Sequence, residues 1–185
     1  MNKSQWTERG IEKCFPYFDT TLNRPLTISP TLSVTLTSSI LSDDKSYSKC
    51  IIMLLSKSLT LPLETNLITL TTPLITKQIT QIEYLNWPDH GVPSSPSSLL
   101  QLAQSTLSQP GPILIHCSAG VGRTGTFIAI SNLLRYIDDL EECKGDVVGK
   151  VVDRLRECRC SLVQTGEQLE FVRESLRVAW KEKYG

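Results

Sequence analysis

The chain has 185 residues, 19 Lys+Arg against 19 Asp+Glu, a formal net charge of zero and 40% hydrophobic content. Length and apolar fraction suit a single domain with a sizeable core, while the balanced charge supplies no basic field for a nucleic-acid backbone or an anionic membrane. Any anion site must therefore be local. The longest wholly apolar run, Ile51 to Leu55, is far too short to cross a bilayer, and Met1-Asn2-Lys3-Ser4-Gln5-Trp6 has no signal-peptide core, so a cytoplasmic location is expected. The six cysteines, Cys14, Cys50, Cys117, Cys143, Cys158 and Cys160, read as reduced thiols. Cys158 and Cys160 stand one residue apart, which is not zinc-knuckle spacing, and no nearby histidine completes a site. No metal and no cofactor is expected.

After a first stretch that mixes aromatic and charged residues, Leu32-Ser33-Val34-Thr35-Leu36 alternates with period two and Cys50 to Leu55 forms a β-compatible apolar run. Ser58 to Thr80 is rich in Leu and Thr, carries prolines and lacks a clear period, so it reads as an inserted spacer loop. Gln78 to Asn86 reads as a strand running into Trp87-Pro88-Asp89. Ser95-Pro96 offers a cap and a first-turn proline to a helix whose face carries Leu99, Leu102, Ala103 and Thr106. Pro112-Ile113-Leu114-Ile115, a continuous apolar run before a Gly-rich turn, predicts a buried central strand. Phe127, Ile130, Leu134 and Ile137 form the core stripe of the next predicted helix. Thr165-Gly166-Glu167-Gln168 is a capping-box pattern, followed by Leu169, Val172, Leu176 and Trp180 at helical spacing. The sum is one α/β domain.

The chemistry concentrates in His116-Cys117-Ser118-Ala119-Gly120-Val121-Gly122-Arg123-Thr124-Gly125, between the predicted strand and a helix. Gly120 and Gly122 let the backbone curl so that successive N–H groups face one concavity, and the following helix adds the positive end of its dipole. Such a cradle suits a tetrahedral oxyanion; the lysine and glycine spacing of a Walker loop are absent. A helix N-terminus beside an arginine favours the thiolate, so Cys117 is a candidate nucleophile. Arg123, five residues on, can hold two phosphoryl oxygens with its planar fork. Together they point to attack of sulfur on phosphorus.

These residues resemble the signature loop of the protein tyrosine phosphatase family, in its phosphotyrosine-selective, cysteine-dependent branch. Trp87-Pro88-Asp89-His90-Gly91-Val92-Pro93 is similar to that family's mobile acid loop. Gln164-Thr165-Gly166-Glu167-Gln168, preceded by Arg156 and Arg159, is similar to its water-positioning segment. Glu8-Arg9-Gly10 and Lys13-Cys14-Phe15-Pro16-Tyr17-Phe18 look like the segment that braces the catalytic arginine. The resemblance implies a mixed, twisted sheet flanked by helices, in a single partial catalytic domain over residues 1–185.

It also implies roles. Cys117 would be the nucleophile and Asp89 the general acid, then base. Ser118, Ala119, Gly120, Val121, Gly122 and Arg123 would hold the phosphate, and Gln164 would orient the hydrolytic water. Gln168 either assists that water or only caps its helix; Thr124 either donates to the Cys117 sulfur or caps. Trp87 would anchor the acid loop, or serve as a core aromatic, or both. Glu8 would pair with Arg123, or form an inconsequential surface pair. His116 would tune the cradle or sit as a satisfied core histidine, and His90 would face solvent. The implied substrates and partners are phosphotyrosine-containing proteins, with no nucleic acid, no membrane and an open oligomeric state.

In that family about a third of the domain precedes the segment that begins here, including the loop whose tyrosine stacks on the substrate ring. On the resemblance, the chain is thus an N-terminally truncated domain. Three readings follow from it: an active phosphatase, a phosphotyrosine-binding remnant that does not turn over, and an inert fragment.

Overall fold

Two ten-residue strands, β4 (Leu32–Leu41) and β5 (Tyr47–Ser56), pair antiparallel in a computed structural model that describes residues 7–8, 11–12, 21–29, 32–56, 75–88 and 90–185. They lie within a sheet of order β3-β4-β5-β6, where β3 is Pro25–Ser29 and β6 is Ile75–Tyr84. A separate two-stranded pair joins β1 (Thr7–Glu8) to β2 (Ile11–Glu12). Every described pairing is antiparallel. The β4–β5 connection closes on Asp44, whose Oδ1 accepts from the Ser42 and Ser46 hydroxyls at 2.8 and 2.7 Å and from the Ser46 N–H at 3.0 Å. These elements belong to the first of two compact units, Met1–Leu85 and Asn86–Gly185.

The expected strand from Gln78 instead begins at Ile75, because Ile75, Thr76 and Lys77 continue the ladder opposite Ser56, Leu55 and Leu54. The end of the predicted spacer is therefore strand; residues 57–74 lie outside the described residues.

The second unit is helical. It comprises α1 (Ser97–Leu107), α2 (Gly122–Arg135), a 3-10 turn (Ile137–Glu142), α3 (Val147–Cys158) and α4 (Gly166–Tyr184). α2 packs against each of the other three helices. Its buried face carries Thr126, Ala129, Ile130 and Leu133, and meets Leu99, Leu100 and Ala103 of α1 and Phe171, Val172, Ser175 and Ala179 of α4 in one core. A fully buried Leu or Ile there contributes about 1.5–3 kcal/mol.

The predicted stripes are rotated. Phe127 and Leu134 are half-buried, whereas Leu133 is 2% exposed; on α4, Leu169, Leu176 and Trp180 are half-buried while Phe171 and Ala179 are enclosed. A helix gripped on three sides buries small residues the apolar pattern overlooks. α3 has no counterpart among the predicted elements. Asp146 caps it, accepting from Gly149 N at 3.0 Å, and its buried residues are only Val148 and Val152. Pro96 sits at the N-cap of α1 rather than in its first turn, and the Ser95 hydroxyl accepts from Ser97 N at 3.3 Å.

The largest departure is Pro112–Ile115. The segment has no regular structure, Ile113 is 48% and Leu114 90% exposed, and it joins no described ladder. A buried strand needs partners for its N–H and C=O groups on both edges. Without those ladders the apolar run forms no strand.

Candidate active site

The turn into α2 is built by glycines with separate duties. Gly120 has φ +72°, a left-handed conformation that reverses the chain after Cys117 and directs the Gly120 N–H onto Cys117 Sγ at 3.2 Å. Gly125 permits a close approach: a Cβ there would lie 2.4 Å from Val163 N and 3.0 Å from Leu162 Cα. Gly122 leaves room for two amides, since a Cβ would lie 2.9 Å from Gln168 Nε2 and 3.3 Å from Gln164 Oε1. The three glycines thus shape the loop, seat it against residues 162–163 and open it to both glutamines.

Cys117 is half-buried, and burial alone would push its thiol up. Thr124 and the backbone N–H groups of Thr124, Gly120 and Val121 outweigh that effect and hold the thiol below its ordinary value. Thr124 Oγ1 is buried without a close hydrogen-bond partner among the described residues. The N-cap of α2, Val121, has no side-chain cap.

Residues 159–163 carry the conformational strain of the site. Ser161 and Val163 have φ +66° and +59°, and a β-branched residue there is an outlier. The strain is held by Arg156, whose Nε and Nη2 donate to the carbonyls of Leu162 and Val163 at 2.9 and 2.8 Å. Val163 N–H donates to the Val121 carbonyl at 3.2 Å, which also accepts from Gly125 N at 3.0 Å. From the other side Arg159 Nη2 donates to the Ala119 carbonyl at 3.3 Å. This bracing is what the motif reading missed; Gly125 and the two arginines are its only traces in sequence.

Gln168 closes the capping box. Its Oε1 accepts from Gln164 N at 2.8 Å and Thr165 N at 3.4 Å, and the Thr165 hydroxyl accepts from Gln168 N at 3.2 Å. The cap fixes the backbone of Gln164, whose side chain is exposed beside Gly122. Gln168 Oε1 is thus engaged in the cap, and Gln164 contributes its backbone N–H to it.

Trp87 lies against Phe171 of α4, centroids 6.1 Å apart, and its Nε1 donates across the loop to the carbonyl of Gly91, which has φ +77°. Arg123 Nη2 donates to the Pro88 carbonyl at 2.9 Å, tying this loop to the cradle. Asp89 lies outside the described residues, as does the Glu8 side chain. His116 is exposed, with Nδ1 3.3 Å from the Cys117 carbonyl, so it is not a core histidine; His90 is exposed as expected. Ser118 and Ala119 are exposed on the rim, and Val121 is half-buried. Among the described residues no group of three or more His, Cys, Asp or Glu could hold a metal ion.

The half-buried Cys117 thus receives the Gly120 N–H at the head of α2, with Arg123 and the amides of Gln164 and Gln168 around the same turn. A family model described as protein-tyrosine phosphatase matches residues 4–177, and the chain belongs to that family. It is 43% identical over 101 residues to tyrosine-protein phosphatase non-receptor type 61F of Drosophila melanogaster, covering 51% of this chain and 18% of that protein. It is 43% identical over 104 residues to human receptor-type tyrosine-protein phosphatase C, covering 54% of this chain and 8% of that one. The fold is similar to the crystal structure of the catalytic domain of human protein tyrosine phosphatase non-receptor type 18, with TM-score 0.75 and 24% identity over 94% of this chain and 57% of that chain. The expected α/β class is thereby shown, and the chain spans only part of the length of the relatives it matches. Among the described residues no helix is long and apolar enough to cross a membrane.

Proposed function

We propose that residues 1–185 belong to one catalytic domain that hydrolyses phosphotyrosine in proteins through a phosphocysteine intermediate. Cys117 thiolate attacks phosphorus as the bond to the tyrosyl oxygen breaks, and Asp89 gives its proton to the departing phenolate. Backbone N–H groups from Ser118 to Gly122 and the Arg123 fork hold the non-bridging oxygens as charge spreads over them. Gln164 then orients a water whose proton passes to Asp89 while its oxygen attacks phosphorus, and Thr124 supports the departing sulfur. Gln168 acts through the backbone of Gln164, Trp87 anchors the acid loop and His116 sits behind the Cys117 carbonyl. No metal or cofactor enters this scheme. The partners are phosphotyrosine-containing proteins, and a cytoplasmic location fits a nucleophile that must stay reduced.

The observation that carries this reading is the Cys117 thiol held low by Thr124 and three N–H groups despite its burial. An aryl phosphate assay beside a Cys117→Ser control tests it. Turnover that vanishes in the control, with a phosphorylated protein trapped by acid quench in the wild type, is the expected result. Binding of the ester without turnover in both proteins would leave a phosphotyrosine-binding domain, and neither binding nor turnover an inert fragment.

A further inference from the structure

We propose that Cys158 and Cys160 form a second oxidation site, a dithiol that hydrogen peroxide converts to a Cys158–Cys160 disulfide, and that closing this bridge pulls Arg159 off the Ala119 carbonyl. The oxidation is independent of the function proposed above; its effect on turnover rests on that reading.

Three features meet here. Both thiols are free and exposed, one at the last residue of α3 and the other in the turn that follows. Arg159 between them is extended, φ −150° and ψ 118°. Its side chain is the one that donates to Ala119, two residues beyond Cys117. Cys143, also exposed, has no cysteine within two residues and cannot close such a bridge.

The chain geometry supplies the coupling. Two extended steps span at most about 6.6–7.2 Å, whereas a disulfide most often holds its Cα atoms about 5.5–6 Å apart. Closing the bridge therefore bends the backbone at Arg159. Relaxation cannot pass downstream, because residues 162–163 are held by Arg156 and by the Val121 carbonyl in a strained conformation. Upstream, Arg159 N–H closes the last turn of α3 on the Leu155 carbonyl at 3.1 Å. The bend falls on Arg159 itself, whose exposed side chain holds Ala119 by one long hydrogen bond, 3.3 Å.

The chemistry balances with peroxide as oxidant. One thiolate attacks a peroxide oxygen, the O–O bond breaks, and a sulfenic acid and hydroxide form; the second thiol then forms the S–S bond and expels the sulfenic oxygen as water. Two thiols are oxidised, and one peroxide is reduced to two waters.

The test uses the full chain with Cys117→Ser, which removes the candidate nucleophile from the count. Intact mass after mild peroxide should show loss of two hydrogens and of two maleimide-reactive thiols, both reversed by dithiothreitol and both absent in Cys117→Ser with Cys158→Ser or with Cys160→Ser. Hydrogen exchange at the Ala119 and Gly120 amides should quicken on oxidation. In otherwise wild-type protein treated with peroxide under saturating inorganic phosphate, aryl phosphatase activity should fall about 3–10-fold, the worth of an ordinary hydrogen bond, and recover with dithiothreitol. Cys158→Ser should be insensitive. Oxygen addition without hydrogen loss would overturn the dithiol, and a disulfide that leaves exchange and rate unchanged would overturn the link to Arg159. A protein inactive before peroxide would instead refute the enzymatic reading, with mass and exchange still deciding the dithiol.

Discussion

Replacing Gly125 with alanine puts one methyl group where the structure has no space. The new Cβ would lie 2.4 Å from Val163 N and 3.0 Å from the Cα and carbonyl carbon of Leu162, all backbone atoms. Carbon contacts are normally about 3.5–4.0 Å, so the two segments must part by about 1 Å. Val163 is 0% exposed, its N–H is committed to Val121 and its carbonyl to Arg156, so there is no soft side chain to yield. Overpacking of this kind costs about 1–3 kcal/mol, and loss of the Val163–Val121 hydrogen bond about 1 kcal/mol more. The better helix propensity of alanine returns about 1 kcal/mol. The net is a destabilisation of about 1–3 kcal/mol, or a fall in Tm of roughly 5–20 °C for a unit of this size. Circular dichroism melts check it, with Gly166→Ala as the comparison: nothing lies within 4 Å of a Cβ there, and its Tm should stay level or rise slightly. A Gly125→Ala protein melting at or above wild type would refute the claim that the loop is seated by backbone contact.

The Cys117 thiol should alkylate with a pH midpoint below that of an unperturbed thiol, and Thr124→Val should move the midpoint up; an unchanged midpoint in that variant would exclude the hydroxyl as a cause. Because its folded-state pKa is lowered, Cys117 adds stability that grows as pH rises through the folded pKa and is complete above the unfolded one. Cys117→Ser should lose that rise in denaturation midpoints. Asp89→Ala should slow hydrolysis of a phosphotyrosine peptide about 10²–10⁴-fold; an unchanged rate would remove Asp89 as the acid. Thr165→Ala should cost about 0.5–2 kcal/mol in denaturant unfolding and reduce turnover with it, since the same cap fixes the backbone of Gln164; a stability loss with full activity would separate the two.

What could be read along the chain was whatever depends on near neighbours. The loop from His116 to Gly125, the capping box at Thr165 and the turn at Gly91 are local patterns, set by glycine conformations, helix polarity and side chains a few residues apart. The chemistry proposed for them was read from residue order, and the family match spans residues 4–177. Features that need a partner distant in sequence were hidden. α3 buries little beyond Val148 and Val152, so its apolar signal is faint. The face of α2 that is buried was set by the three helices around it, which enclose Leu133 rather than Leu134. Pro112–Ile115 has the composition of a buried strand, yet composition cannot supply the neighbouring ladders that make one. The strained turn at Ser161 and Val163 was also invisible, because nothing in Ser-Leu-Val announces a left-handed backbone. It exists because Arg156, seven residues back, converges on it with the Val121 carbonyl and the missing side chain of Gly125, which stand 42 and 38 residues before Val163. Residue order names the groups that could do chemistry on a phosphate; only packing between remote segments decides which of them face one another.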